Sequence, residues 1–341
     1  MRNRNTFVAI LFVGLASVSQ LRSEDSESST AAIRTAIDRS IPLLEAGMRG
    51  SAEQRKCFTC HSQAVPVLAL AEARTRGFVI DEDNFEKQLQ HTEAHLNRGR
   101  KDYLIGKGQG GRVLTAGYAL WTLEAGDRPA NDTTAAVTHF LLDWDKGENE
   151  KNHWRQSSNR PPSSGSDFTA TYLALSGLVE FGTEAQKPQI EARVKQVGEW
   201  ILSERPRDTE DRVFQLFALP YIDNAKDAIA AATAALVESQ RDDGGWAQTD
   251  DMESDAYATG SAVVALLRAG ELQPDHAAVQ RGVQYLLDTQ LADGSWHVAT
   301  RAKPFQTYFE SGFPHEKDQF ISIAASSWST LALLLTLPNT P

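Results

Sequence analysis

The sequence predicts an all-α protein: a single (α/α)6 barrel, or toroid, of six helix-pair repeats preceded by a signal peptide. Three observations predict it. The stretches SDFTATYLALSGLVEFG (166–182) and SDAYATGSAVVALLRAG (254–270) run from Ser-Asp to Gly without a gap, with Thr171 falling on Thr259. Amphipathic and mostly apolar helical segments alternate six times along the chain. Two turns carry one signature, QRDDGGW (240–246) and QLADGSW (290–296).

At the start, Arg2 and Arg4 precede an apolar run from Phe7 to Val18 that ends in the small residues Ser17-Val18-Ser19. A run of twelve is short for a membrane span, so residues 1–19 read as a signal peptide and the protein as exported, periplasmic or extracellular. Residues 20–30 read as a disordered mature N-terminus and 31–338 as the toroid, with no membrane span after the leader is removed.

The outer helices are expected at 31–49, 84–98, 132–143, 187–204, 225–240 and 276–290. In the last of these, Val279, Val283, Leu286 and Leu287 form an apolar stripe with charge elsewhere. The inner helices are expected at 61–77, 110–126, 166–182, 207–223, 254–270 and 317–333, rich in Ala, Leu and small residues that suit close packing. An apolar helix must be covered on most sides, whereas an amphipathic one can face water. Six of each therefore make an inner ring wrapped by an outer one.

Composition sets the class of partner. With 41% hydrophobic and 23% charged residues the chain is an ordinary globular one. Its net charge is −11, and loss of Arg2 and Arg4 with the leader leaves 32 basic against 45 acidic residues. No lysine/arginine cluster offers phosphates a basic face, which argues against a nucleic-acid partner. GKGQGG (106–111) lacks the Lys-Ser/Thr and the strand of a phosphate loop and reads as a rim turn, and NRPPSSGS (159–166) reads as a connection.

The two tryptophan turns fall where an outer helix hands over to an inner one. Gly244 and Gly294 suit a helix C-cap, Gln240 and Gln290 can bond helix ends, and Trp246 and Trp296 can wedge adjacent repeats. These segments resemble the repeats of squalene-hopene cyclases and of their relatives, the β-subunits of protein prenyltransferases, over residues 30 to 335. That resemblance implies a terpenoid-cyclase toroid. It also implies residues that this chain lacks. Class II cyclases protonate an isoprenoid with a D-x-D-D motif, for which the nearest acidic groups here are TDDMESD (249–255) and DTED (208–211). Protein prenyltransferases hold zinc with an aspartate, matched by Asp255, and a cysteine two residues later, where this chain has Tyr257. The chain further resembles exported bacterial proteins of the same repeat type that carry an N-terminal C-x-x-C-H and a late segment like 304–333.

The chain's two cysteines both lie in CFTCH: Cys57, Cys60 and His61. C-x-x-C-H is the attachment pattern of c-type haem, with two thioethers and His61 as an axial ligand. The competing readings are a Cys57–Cys60 disulfide, favoured by an oxidising compartment, and another metal or an inert thiol pair. For the sixth haem position Met48, Met252 and seven other histidines compete, with His315 favoured because its loop is expected at the same rim.

At the entrance of successive inner helices stand Asp167, Asp208, Asp255 and Asp318, as N-caps or as a ring of functional carboxylates, with Asp250 and Asp251 beside Asp255. The insertion at 297–319 reads as a lid carrying Tyr308, Glu310, His315 and Asp318. The catalytic candidates are therefore Asp255, Asp251, Asp318 and His315, and the aromatic cavity candidates Trp121, Tyr172, Tyr257, Tyr308 and Trp328. Together these predict a protein that holds a hydrophobic, isoprenoid-like ligand in a central cavity, with covalent haem c and a redox partner. The alternatives are a non-catalytic scaffold with a Cys57–Cys60 disulfide and a c-type electron carrier.

Overall fold

The computed structural model describes residues 13–144, 152–304 and 307–338, with side chains from residue 29 onward. Residues 1–12 of the expected leader lie outside the described residues. The outer helices are α1 (Val13–Gln54), α3 (Glu82–Arg98), α6 (Asp132–Asp143), α8 (Lys187–Ser203), α10 (Lys226–Glu238) and α12 (Ala277–Thr289). The inner ones are α2 (Val65–Thr75), α5 (Arg112–Ala125), α7 (Asp167–Phe181), α9 (Thr209–Ala218), α11 (Ala256–Arg268) and α13 (Gln319–Thr336). A short α4 (Arg100–Leu104) is an addition to the expected twelve. Helix α1 also runs back through 20–30, which the sequence reading left without regular structure. Nothing between Gly14 and Pro42 breaks a helix there.

The inner helices pack in chain order, α2 on α5, α5 on α7 and so on to α13, which returns onto α2 and closes the ring. Their close approach needs small residues: a Cβ on Gly260 of α11 would stand 2.7 Å from the Ser329 nitrogen of α13. The segment Glu316–Thr336 is apolar enough by composition to cross a membrane, which the sequence reading did not single out. Within the fold 78% of its apolar window is buried, as an inner helix requires.

The tryptophan turns brace the ring. Gly244 and Gly294 take φ of +85° and +97°, a conformation that a side chain rarely tolerates. The indole N–H of Trp246 donates to Leu236 O and that of Trp296 to Leu286 O, both at 2.8 Å, closing the end of the preceding outer helix. Their backbone N–H groups donate to Thr259 Oγ1 (2.9 Å) and Ser326 Oγ (3.0 Å) on the inner helix that follows. Gln240 donates to Ala278 O at the head of α12, and Gln290 to Ala36 O on α1, both at 2.8 Å. The second of these bonds ties the last repeat to the first.

Trp154 is a third brace. It donates to Leu141 O (2.8 Å) from its indole and to Thr171 Oγ1 (3.1 Å) from its backbone, although no glutamine-glycine signature precedes it. The two-stranded ribbon β1 (Trp246–Ala247) and β2 (Ser254–Asp255) pairs Trp246 with Asp255 and delivers the chain to α11.

Candidate functional site

The first outer-to-inner turn carries CFTCH. Thr59 N–H donates to Gln63 Oε1 (2.8 Å), and Gln63 Nε2 donates to Gln88 Oε1 (3.1 Å), fixing the turn to α3. Cys60 opens a π-helical turn (Cys60–Ala64) that leads into α2. Cys57 is exposed and Cys60 half-buried, and the two sulfurs are not joined. Cys60 Sγ lies 3.8 Å from His61 Nδ1, and burial pushes its thiol up. The His61 ring sits 5.2 Å from that of Phe320. Burial, helped by Arg160, lowers its imidazole to about 4, and its Nε2 is buried without a partner. His95 on α3 is in the same condition: burial, then Arg98 and His91, lower it to about 4, and its Nε2 has no partner.

Two cavities share this turn as a wall. One, of about 650 Å³, is lined by Cys60, His61, Pro161, Pro162, Phe320 and Ile321, with Arg160, Lys303, Lys317 and Tyr308 around it. The other, of about 580 Å³, takes Cys57, Cys60, His61, His95, Tyr118 and the 107–111 turn. The GKGQGG and NRPPSSGS stretches, read from sequence as rim turn and connection, thus contribute walls to this mouth.

The acidic entrance positions serve different purposes. Asp208 and Asp255 cap α9 and α11, accepting from Asp211 N–H (3.0 Å) and Ala258 N–H (2.9 Å). Burial nevertheless holds both carboxyls above their ordinary range. In α7 the cap is Ser166, and Asp167 instead accepts from Gln156 N–H (2.8 Å). Asp318 gives α13 no side-chain cap. It pins the 297–318 segment by accepting from Thr300 N–H (2.9 Å) and lying 3.0 Å from His297 Nε2. Despite burial, these partners keep its carboxyl below the usual range.

His315 is engaged elsewhere, with Nε2 2.7 Å from Ser295 Oγ and its ring 4.8 Å from that of His297. Its loop does reach the rim of the C-x-x-C-H turn, since Thr307, Tyr308 and Lys317 line the larger cavity with Cys60 and His61, but His315 itself lines neither cavity. Met48, fully buried among the apolar core residues, and Met252 are likewise absent from both linings. Asp251 is exposed and takes a 2.6 Å bond from Thr249 Oγ1. The structure therefore does not gather Asp251, Asp255, Asp318 and His315 into one hydrogen-bonded set.

The aromatic candidates divide. Trp121 of α5 meets Tyr172 of α7, Phe214 and Phe217 of α9 and Trp328 of α13, with ring centroids 5.4 to 6.5 Å apart. Helices that are not neighbours in the ring touch here, so these rings plug the axis where the sequence reading expected a cavity. The reason is size: this many large rings directed inward fill a six-helix barrel. Of the two cavities at the mouth, the larger includes Tyr308, and neither includes Trp121, Tyr172 or Trp328.

Tyr257 directs its hydroxyl to Glu210 Oε2 (3.2 Å), and Thr169 donates to Glu210 Oε1 (2.9 Å). Glu210, in the first turn of α9, is only 5% exposed. Burial raises its carboxyl from 4.5 to about 8, with Asp208 adding to the rise against the Thr169 and Tyr257 bonds. It is a neutral acid at pH 7. DTED stands out in the sequence as one of the two groups nearest to D-x-D-D, but there Asp208 alone draws notice, as a cap or functional carboxylate, and Glu210 does not.

Comparison with known proteins now bears on the family. The family model of the squalene-hopene cyclase C-terminal domain matches residues 209–328, beginning inside DTED. The squalene–hopene cyclase of Bradyrhizobium diazoefficiens is 36% identical over 97 residues, 25% of this chain and 13% of that protein. Residues 209–328 are thus similar to the C-terminal domain of squalene-hopene cyclases. The alpha-onocerin synthase of Lycopodium clavatum is 28% identical over 109 residues, 32% of this chain. Each match spans 13% of the relative's length. Among solved structures, the type II terpene cyclase MstE from Scytonema, in complex with its product merosterolic acid A, superposes with a TM-score of 0.56 at 11% identity, over 91% of this chain and 99% of that one. A protein from Actinoplanes does so with a TM-score of 0.55 at 12% identity, over 89% and 99%. These likenesses establish the fold as the toroid.

Proposed function

We propose that this squalene-cyclase-like protein is exported and binds a hydrophobic, isoprenoid-like ligand at the mouth of its barrel, with covalent haem c on the wall of that site. The observation that carries the reading is the pair of cavities of about 650 and 580 Å³ that share Cys60 and His61. Pro161, Pro162, Phe320 and Ile321 give the larger one an apolar surface, while Arg160, Lys303 and Lys317 suit a polar or anionic end of the ligand. That a structural relative holds a terpenoid product supports the choice of ligand class.

The residues present fit haem. Two unjoined thiols stand three positions apart, and the adjacent imidazole has a buried, unpartnered Nε2 beside a cavity. Cys57 and Cys60 would hold the group and His61 would ligate its iron; when bound it supplies one-electron transfer, which calls for a redox partner. Phe320, packed against His61, belongs to the larger cavity's apolar wall, so the two proposed sites adjoin.

The test is to express the chain with its leader in a host that matures c-type haem, then measure intact mass and visible spectrum. Covalent haem is expected; its absence while a control cytochrome matures would remove that part of the reading. Binding of a polyprenyl lipid to the same preparation is expected to fall at least tenfold in Ile321→Arg. Equal binding would move the ligand elsewhere.

Glu210 favours a second reading, proton-initiated chemistry on an isoprenoid alkene. The carboxyl occupies the third position of D-T-E-D, where the resemblance expects the protonating aspartate, and it is held neutral by burial. If polyprenyl substrates are cyclised, Glu210→Gln should abolish turnover while leaving lipid binding unchanged. Undiminished turnover would exclude Glu210 as the proton donor.

A further inference from the structure

We infer that His95 is the second axial ligand of the haem held by Cys57, Cys60 and His61. The inference rests on the haem reading above and assigns the position that the sequence leaves open.

His95 lies on α3, 34 residues beyond His61, and the fold brings both to one cavity of about 580 Å³ whose wall also contains both cysteines. His95 is 7% exposed, and its ring is 6.2 Å from that of Phe58, inside the CFTCH motif itself. Buried polar atoms are almost always satisfied, so an imidazole nitrogen without a partner calls for one. Among the described residues the histidine Nε2 atoms left buried and unpartnered are those of His61 and His95.

The other histidines are committed elsewhere. His91 Nε2 is 3.3 Å from Cys57 O, His139 faces Asp143, and His153 stacks on Trp200. His276 caps α12, His297 meets Asp318, and His315 meets Ser295. This cavity is lined by two cysteines and by two histidines whose Nε2 atoms are buried without partners, the donor set of a six-coordinate, bis-histidine c-type haem. His91, four residues before His95 on the same helix, holds the Cys57 carbonyl and so positions the attachment turn against α3.

The experiment uses the matured full chain and reads coordination directly, by intact mass, visible spectrum and electron paramagnetic resonance. Wild-type protein should carry covalent haem in a low-spin, six-coordinate form. His95→Ala should keep the haem mass but lose the low-spin signal, which added imidazole restores. His95→Met should remain low-spin with a higher reduction potential and a changed spectrum. His91→Ala should leave the low-spin signal intact. If His95→Ala carries haem and stays low-spin without imidazole, His95 is not the ligand and the haem reading survives. If wild-type protein carries no covalent haem while a control matures, both fail. Should His95→Ala not accumulate, His95→Met decides, since an unchanged potential and spectrum would equally overturn the assignment.

Discussion

Glu210 is neutral at physiological pH because it is buried, and that state makes stability depend on pH in a defined direction. Its carboxyl rises from 4.5 in ordinary surroundings to about 8 in the fold. Between those values the folded state keeps a proton that the unfolded state has released, so stability falls as pH rises and levels off above about 8. Linkage puts the total on the order of 5 kcal/mol. Glu210→Gln should remove this component. By denaturant unfolding, wild type and variant should lie within about 1 kcal/mol at pH 4.5, with the variant gaining several kcal/mol relative to wild type at pH 8.5. Parallel pH profiles for the two proteins would mean that Glu210 is ionised in the fold.

At the scale of elements, the braces show what the sequence makes legible. The alternation of apolar and amphipathic segments, at helical period, locates twelve helices with their order and pairing. The Gln-Gly-Trp turns at 246 and 296 do what their residue types indicate. Trp154 escaped because its brace needs only an indole and a hydroxyl partner, Thr171, and none of the flanking glutamine or glycine that makes the other two recognisable. Trp154→Ala should therefore destabilise the protein as much as Trp246→Ala, by about 3–5 kcal/mol in equilibrium unfolding. A cost under about 1 kcal/mol for Trp154 alone would deny it the role.

The site was less legible than the fold. A cavity is a remainder after packing, and no local pattern says which of the five aromatic candidates plug the axis. His95 could have been suspected from HTEAH, which places two histidines four apart on one helix face, but only the fold puts that face against CFTCH. The lid reading of 297–319 can be tested through its anchor. Asp318→Ala removes the Thr300 and His297 bonds and should expose residues 299–312 to faster limited proteolysis, with helical circular dichroism retained. An unchanged cleavage rate would show that the segment is held by other contacts.

On the scale of the whole molecule, a closed ring depends on its seam, which lies between the sixth repeat and α1. Gln290 bonds Ala36 O, Arg39 Nη2 bonds Leu291 O at 2.7 Å, and the hydroxyls of Ser40 and Thr330 meet across it. Ile33, Ile37, Ile41, Leu44 and Met48 of α1 are all buried, at most 5% exposed, with Thr330 and its helix α13 beneath them. At about 2 kcal/mol per buried side chain, α1 contributes roughly 10 kcal/mol, an upper estimate comparable to the whole net stability of a typical domain. Without α1 the ring should not close. A chain beginning at residue 55 should show no cooperative thermal transition and weak near-ultraviolet circular dichroism, whereas one beginning at residue 29 should unfold like the full chain. Adding a separate peptide of residues 29–54 should restore the transition in proportion to its concentration, because the seam is then rebuilt by association. A chain from residue 55 that unfolds cooperatively at the full-length midpoint would show instead that the remaining repeats sustain themselves, as in an open solenoid whose stability is a sum over neighbours.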